Sequence, residues 1–243
     1  LLRELKPLLR LNAMTVTGRT LGEEIDATGA PFKQDVVRSM ADPIYPQGGI
    51  AFLRGNLAPG GAIIKQSAAA AHLMEHEGRA VVFENLEDMA NRIDLPDLDV
   101  SADDVLVLKS IGPLGGPGMP EAGYIPIPKR LAVQGLKDMV RISDGRMSGT
   151  AFGTIVLHIT PESALGGPLA CVRQGDRIRL SVAERAITLL ISDAEMAQRL
   201  TACATARPRA ERGYRKLYLQ SVTQADQGVD FDFLQAQPPP AKD

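Results

Sequence analysis

Tryptophan is absent from this chain of 243 residues, which also has only two cysteines and three histidines. The cysteines, Cys171 and Cys203, are unpatterned and make neither a disulfide framework nor a metal knuckle. Charge of one sign is lacking too: 27 Lys and Arg against 29 Asp and Glu leave a formal net charge of −2. With no basic excess to displace phosphate counterions, nothing in the charge balance points to a nucleic-acid partner. No apolar run approaches the ~18–20 residues of a membrane span. The chain opens Leu1-Leu2-Arg3-Glu4-Leu5, with no initiator Met and no signal or targeting pattern. These absences predict a cytoplasmic protein, off the membrane, that starts as if cut from something longer.

What is present is ordinary for a globular protein. Hydrophobic residues make up 44% and charged residues 23%, enough for a sizeable core. The 23 glycines and 17 prolines exceed the usual combined share of ~12% and predict many tight turns between short elements. Apolar runs rich in Val and Ile lie at 14–17, 36–37, 50–53, 62–64, 80–83, 105–108, 139–142, 154–159, 169–172, 177–182 and 187–191. Their length and composition predict strands.

Helices are fewer. Leu1, Leu2, Leu5, Leu8 and Leu9 have helical spacing that Pro7 interrupts, like the end of a helix whose start is missing. Thr20-Leu21-Gly22-Glu23 and Ser192-Asp193-Ala194-Glu195 both have the form of a capping box. The second opens a helix over 193–206, another is expected over 210–222, and 86–93 and 129–134 are shorter candidates. Many strands with few helices between them argue against a doubly wound sheet. The fold class expected is mainly β with α (β/β/α), a β-barrel-like domain of many short strands decorated by helices and finished by a helical C-terminus. Residues 1–224 read as one domain and 225–243 as a tail, ending Pro238-Pro239-Pro240-Ala241-Lys242-Asp243.

Three loops stand out. Residues 48–62 put a strand between glycine-rich turns, with Lys65 at the end of the next strand. The glycines suit either a pair of tight hairpins or a phosphate cradle, although the P-loop spacing is absent. The loop 112–121 follows the strong strand 105–108 and has almost no side chains until Glu121. Such a carboxylate reads either as a hard-cation ligand or as a solvated glutamate after a turn. In the third, 143–153, Ser148 is followed by Gly149 and lies two residues after Arg146. That resembles a nucleophile on a tight turn, but not the G-x-S-x-G elbow, and a serine needs a base or a cation nearby to ionise. His72 and His76 have i, i+4 spacing without a partner motif, and His158, within a strand, reads as a packing residue. A serine hydrolase therefore has little support.

At these loops the sequence resembles the dihydroxy-acid dehydratase and phosphogluconate dehydratase family. The resemblance rests on Met14-Thr15-Val16-Thr17-Gly18-Arg19-Thr20, Leu53-Arg54-Gly55-Asn56-Leu57-Ala58-Pro59, Gly115-Gly116-Pro117-Gly118-Met119-Pro120-Glu121 and Ser143-Asp144-Gly145-Arg146-Met147-Ser148-Gly149-Thr150. It continues through Pro161-Glu162-Ser163-Ala164-Leu165-Gly166-Gly167-Pro168 and Leu189-Leu190-Ile191-Ser192-Asp193, in family order and spacing. The runs 121–129 and 146–153 look most like the sugar-acid branch, which includes arabinonate and xylonate dehydratases.

The resemblance implies a hydro-lyase that converts a 2,3-dihydroxy acid to a 2-keto-3-deoxy acid with Mg²⁺ and an iron–sulfur cluster. It carries the serine alkoxide base over to Ser148, a Mg²⁺-ligating carboxylate to Glu121, and a pocket hydroxyl to Thr150. It also implies a barrel-like domain packed on an α/β N-terminal domain of the same polypeptide, in a homo-oligomer. The cluster ligands belong to that N-terminal domain, and Cys171 and Cys203 match none of them. The chain is thus expected to hold half a site and to show no activity or cluster absorbance alone. The alternative, from a different class, is a stand-alone non-catalytic binding module on the same fold.

Overall fold

A computed structural model describes residues 1–29, 32–203 and 207–235. The chain divides into two compact units, Leu1–Gly48 and Gly49–Asp243. The end of the helix expected over 193–206 and the proline-rich end at 238–240 lie outside the described residues.

In the first unit, Thr20 caps α1 (Leu21–Ala27). Its hydroxyl accepts from the Glu23 amide at 3.3 Å, and the Glu23 carboxylate accepts from the Thr20 amide at 2.7 Å. Both halves of the expected capping box are present. The leucine run at 1–9 makes turns and a single 3₁₀ segment, Lys6–Leu8, instead of an α-helix end. Pro7, which has no N–H, sits in its first turn. The run at 14–17 contributes one isolated bridge, Met14 to Thr20, and 36–37 lies in a bend. Neither run finds a ladder, and an apolar run becomes a strand only where a neighbour accepts its backbone groups.

The second unit is a closed eight-stranded barrel of β1 (Ala51–Gly55), β2 (Ala58–Ile64), β3 (Glu75–Phe83), β4 (Val105–Leu108), β5 (Arg141–Ser143), β6 (Ile155–Thr160), β7 (Arg177–Ser181) and β8 (Ala186–Leu189). Around the barrel the order is β1-β2-β6-β5-β4-β3-β7-β8. The run β3-β4-β5-β6 is parallel, β1 joins β8 in parallel, and the remaining pairs are antiparallel. The expected mainly β, barrel-like architecture is present. The run 169–172, expected as a strand, instead forms the 3₁₀ turn Pro168–Cys171, with Pro168 at its start. Its fixed φ suits a helical first turn, and it has no N–H to give a ladder.

Alternation along the strands separates two apolar layers. Leu53, Ile64, Val82, Val107, Ile142, Val156, Leu180 and Ile187 share one buried cluster. Val81, Phe83, Leu106 and Leu108 belong to a second, with Ile93, Ile111 and Leu131. β4 is therefore buried on both faces, because α2 (Leu86–Arg92) and α3 (Lys129–Val133) lie in the crossovers β3-α2-β4 and β4-α3-β5. A parallel strand reads as an unbroken apolar run for this reason. Two further helices follow the barrel: α4 (Asp193–Ala202) and α5 (Gly213–Ser221). Ser192 caps α4 by accepting from the Glu195 amide at 3.2 Å.

A buried ion pair ties the β4–β5 crossover to β5. Arg141, 1% exposed, donates through Nε to Met139 O, through Nη1 to Tyr124 O and Ile125 O, and through Nη2 to Asp138 at 2.7 Å. Asp138 in turn accepts from the Thr154 amide and hydroxyl and from the Ala70 amide. A Cβ at Gly153 would fall 1.8 Å from the Arg141 guanidinium, so only glycine lets the turn close over it. Arg141→Met should lower the unfolding free energy by about 3–5 kcal/mol, since it strands a buried carboxylate. Urea unfolding measures this, and a loss below about 1 kcal/mol would contradict the assignment of this cluster as a structural node.

Candidate functional site

The connections after β4 and β5 leave the carboxyl ends of adjacent parallel strands. The first contains the glycine-rich loop that leads to Glu121, and the second carries Ser148 and Thr150. A loop with few side chains must be held by its backbone, and two buried carboxylates do this. Asp144 accepts from the Ile111 amide at 3.0 Å, from the Ser163 amide at 2.8 Å, and from the Ser163 hydroxyl. Glu162 accepts from the Leu114 and Gly115 amides, each at 2.9 Å, and from Gln224 Nε2 at 2.6 Å. A Cβ at Gly112 would lie 2.7 Å from the Glu162 carboxylate, which accounts for a glycine there. Burial pushes both carboxyl groups above their ordinary range, and the amides that donate to them oppose the shift.

The two connections run side by side. The Gly123 amide donates to Arg146 O at 2.7 Å, and Arg146 Nε donates to Met119 O at 2.6 Å. Arg146 also faces Glu121 across 3.9 Å, with both side chains about half exposed. Two residues on, the Ser148 and Thr150 hydroxyls are 3.0 Å apart. Ser148 and Thr150 are thus in direct contact, while Glu121 is joined to their turn through Arg146. Lys65, at the end of β2, donates from Nζ to Gly149 O at 2.5 Å, so the first of the three loops reaches the same turn. Among the described residues the hydrogen bonds of Ser148 Oγ are with Thr150 and none is with a histidine, unlike the base-paired serine of a serine hydrolase.

The histidines lie elsewhere. His72 is in the 3₁₀ turn Ala71–Leu73 and His76 is on β3, bonded to Asp103 O at 2.9 Å, so their i, i+4 spacing marks no helical face. His158, half-buried on β6 at φ 55°, has its pKa lowered by burial and by the charge of Arg146.

Several residues of the site were not singled out by sequence reasoning. Asp144 and Glu162 lie inside the motifs with no role attached, Arg141 lies within the strand run 139–142, and Asp138 belongs to no pattern singled out. An acidic residue set among small residues beside a strand end, as in Ser143-Asp144-Gly145 and Pro161-Glu162-Ser163, is the signal that could have marked the first two.

Among the described residues no group of three or more His, Cys, Asp or Glu side chains converges as a metal centre. Glu121, exposed and acceptor-only, fits one position of a hard-cation site completed by other oxygens. An iron–sulfur cluster takes about four protein ligands, and this chain's two cysteines do not fit one. Among the described residues no helix is long and apolar enough to cross a membrane.

A family profile described as dihydroxy-acid/6-phosphogluconate dehydratase C-terminal matches residues 35–229. A 6-deoxy-6-sulfo-D-gluconate dehydratase of Pseudomonas putida is 46% identical over 97% of this chain and 41% of its own length. An L-arabonate dehydratase of Azospirillum brasilense is 48% identical over 92% of the chain and 39% of its own. A dihydroxy-acid dehydratase of Nitratidesulfovibrio vulgaris (strain DP4) is 41% identical over 91% of the chain and 40% of its own. The chain therefore spans about two fifths of the length of the curated relatives it matches.

The raised Glu162 pKa sets the sign of a pH dependence. The folded protein holds this proton more tightly than the unfolded chain. The resulting stability is complete below the ordinary value of 4.5 and is lost as pH rises through the folded value. Glu162→Gln, which places an amide against donors, should cost about 1–3 kcal/mol. The stability difference from the parent should shrink from about pH 4 upward, read by urea unfolding; a pH-independent difference would contradict the raised pKa.

Proposed function

The chain belongs to the dihydroxy-acid/6-phosphogluconate dehydratase family, whose C-terminal domain it carries, and from this we propose that it supplies the proton-abstracting side of a hydro-lyase site. The substrate class is a 2,3-dihydroxy sugar acid. Relatives named for arabonate and sulfogluconate, at 48% and 46% identity, favour sugar acids over the relative named only for dihydroxy acids, at 41%. The reaction removes a proton from C2 and the hydroxyl from C3, and the enol formed ketonises to a 2-keto-3-deoxy acid. The rest of the active site and the cluster ligands belong to polypeptide outside these residues, in a homo-oligomeric enzyme.

The observation that carries the proposal is the contact of Ser148 with Thr150 on a turn fixed from both sides by Lys65 and Arg146. Ser148 Oγ takes the C2 proton. A serine hydroxyl ionises near neutral pH only with positive charge and hydrogen bonds around it. Thr150 Oγ1, 3.0 Å away, donates to the developing alkoxide. The Lys65 ammonium sits on the adjacent carbonyl of Gly149. Glu121 would hold Mg²⁺, which when bound supplies positive charge to the substrate oxygens and the base. No step is assigned to an iron–sulfur cluster, because this chain's residues do not fit one.

In the intact enzyme, Ser148→Ala should reduce kcat by ~10²–10⁴, the usual contribution of a positioned base, with an unchanged circular dichroism spectrum. Near-parental turnover of an arabonate-type acid by this variant would refute Ser148 as the base. Glu121→Gln should raise the Mg²⁺ concentration needed for half-maximal activity and leave folding unchanged; an unaltered Mg²⁺ requirement would exclude it as a ligand.

A further inference from the structure

The two cysteines take no part in this chemistry, yet the fold brings them together. Cys171 ends the 3₁₀ turn Pro168–Cys171 and is buried, whereas Cys203 follows the last turn of α4 and is partly exposed. Both line a cavity of about 390 Å³ with Lys109 and Arg199. Arg199 clamps the two elements: its Nη1 donates to Cys171 O at 3.2 Å, and its guanidinium pairs with Asp176 and Glu195. Cys203 lies four residues after Arg199, so it continues the helix face already held against the Cys171 turn. The two side chains interact, and burial together with this neighbour pushes the Cys171 thiol up to about 11. Lys109 Nζ, buried beside them, donates to Ala170 O at 3.2 Å.

We propose that Cys171 and Cys203 form a reversible oxidation site, closed to an intramolecular disulfide by a peroxide that enters this cavity. Cys203, the more accessible of the two, reacts first. Its thiol gives up its proton as the sulfur forms an S–O bond and the peroxide O–O bond breaks; the released hydroxide takes up that proton, leaving a sulfenic acid and one water. The Cys171 sulfur then forms the S–S bond and displaces the hydroxyl, which departs with the Cys171 proton as a second water. In sum, two thiols and one hydrogen peroxide give one disulfide and two waters. The Lys109 and Arg199 cations favour the Cys171 thiolate during the second step. The bond fastens the end of α4 to the turn whose Ala170 carbonyl holds Lys109, the residue that leads into the glycine-rich loop.

The test uses the full chain treated with hydrogen peroxide and read by intact mass and peptide mapping. The expected product is a monomer lighter by two hydrogens, with a Cys171–Cys203 cross-linked peptide, restored to two thiols by dithiothreitol. Closure should be at least ~10-fold faster in the folded protein than in urea, because the fold raises the effective concentration of one thiol near the other. Cys203→Ser should abolish the cross-link with an unchanged melting temperature. Cys171→Ser should leave Cys203 to proceed to the sulfinic acid. Two free thiols after treatment, sulfinic acid on parental Cys203 with Cys171 still reduced, cross-links between chains, or equal rates in urea would each overturn the proposal.

Discussion

The guanidinium of Arg141 is the point on which the candidate site depends. It is nearly excluded from solvent, and every nitrogen has an assigned acceptor: two carbonyls of the segment after Glu121, one carbonyl before β5, and the Asp138 carboxylate. Desolvating such a pair is costly, and the arrangement persists only when all its partners are in place. That requirement gives it positional force. Asp138 passes the constraint to Thr154 and Ala70, so the β4–β5 crossover, the β5–β6 connection and the stretch after Lys65 are fixed against one strand. Gly153 is the sequence's accommodation to this buried cation, since any side chain there would occupy the guanidinium's place.

A second constraint acts on the glycine-rich loop. Glycine allows the backbone to approach closely, but it also gives a flexible loop with no side chains to anchor it. Asp144 and Glu162 resolve this by accepting the loop's amides. The cost is two carboxylates raised by burial next to the site. The loop's rigidity therefore comes from β5 and β6 and the turns that follow them, not from the loop itself. Catalytic groups on loops gain their precision in this way, from a scaffold that owns the hydrogen bonds.

Much of the barrel was legible because alternation and apolar runs report burial directly. The run at 105–108 became β4 unchanged, and 62–64 and 80–83 became the ends of longer strands. The run 169–172 failed because four apolar residues after a proline satisfy the pattern of a strand and of a buried 3₁₀ turn equally. The runs at 14–17 and 36–37 failed for want of a partner, since hydrogen-bond ladders are not encoded locally. The parallel order β3-β4-β5-β6 was also hidden, because its crossovers carry helices of only seven and five residues and, between β5 and β6, no helix.

By itself the sequence pointed to the family and the barrel class, which depend on residue type and order along the chain, and the family resemblance named Glu121, Ser148 and Thr150 as candidates. Only the tertiary structure decided which residues meet. It put Ser148 against Thr150, left Glu121 joined to them through Arg146, and brought Lys65 to Gly149 across 84 positions of chain. It also drew Cys171 and Cys203 into one cavity, although as a sequence pair they looked unpatterned. The physical reason is common to all of these. Burial leaves a periodic trace in the sequence, whereas a pairing between distant groups is fixed by strand order and by buried charges with no local signature.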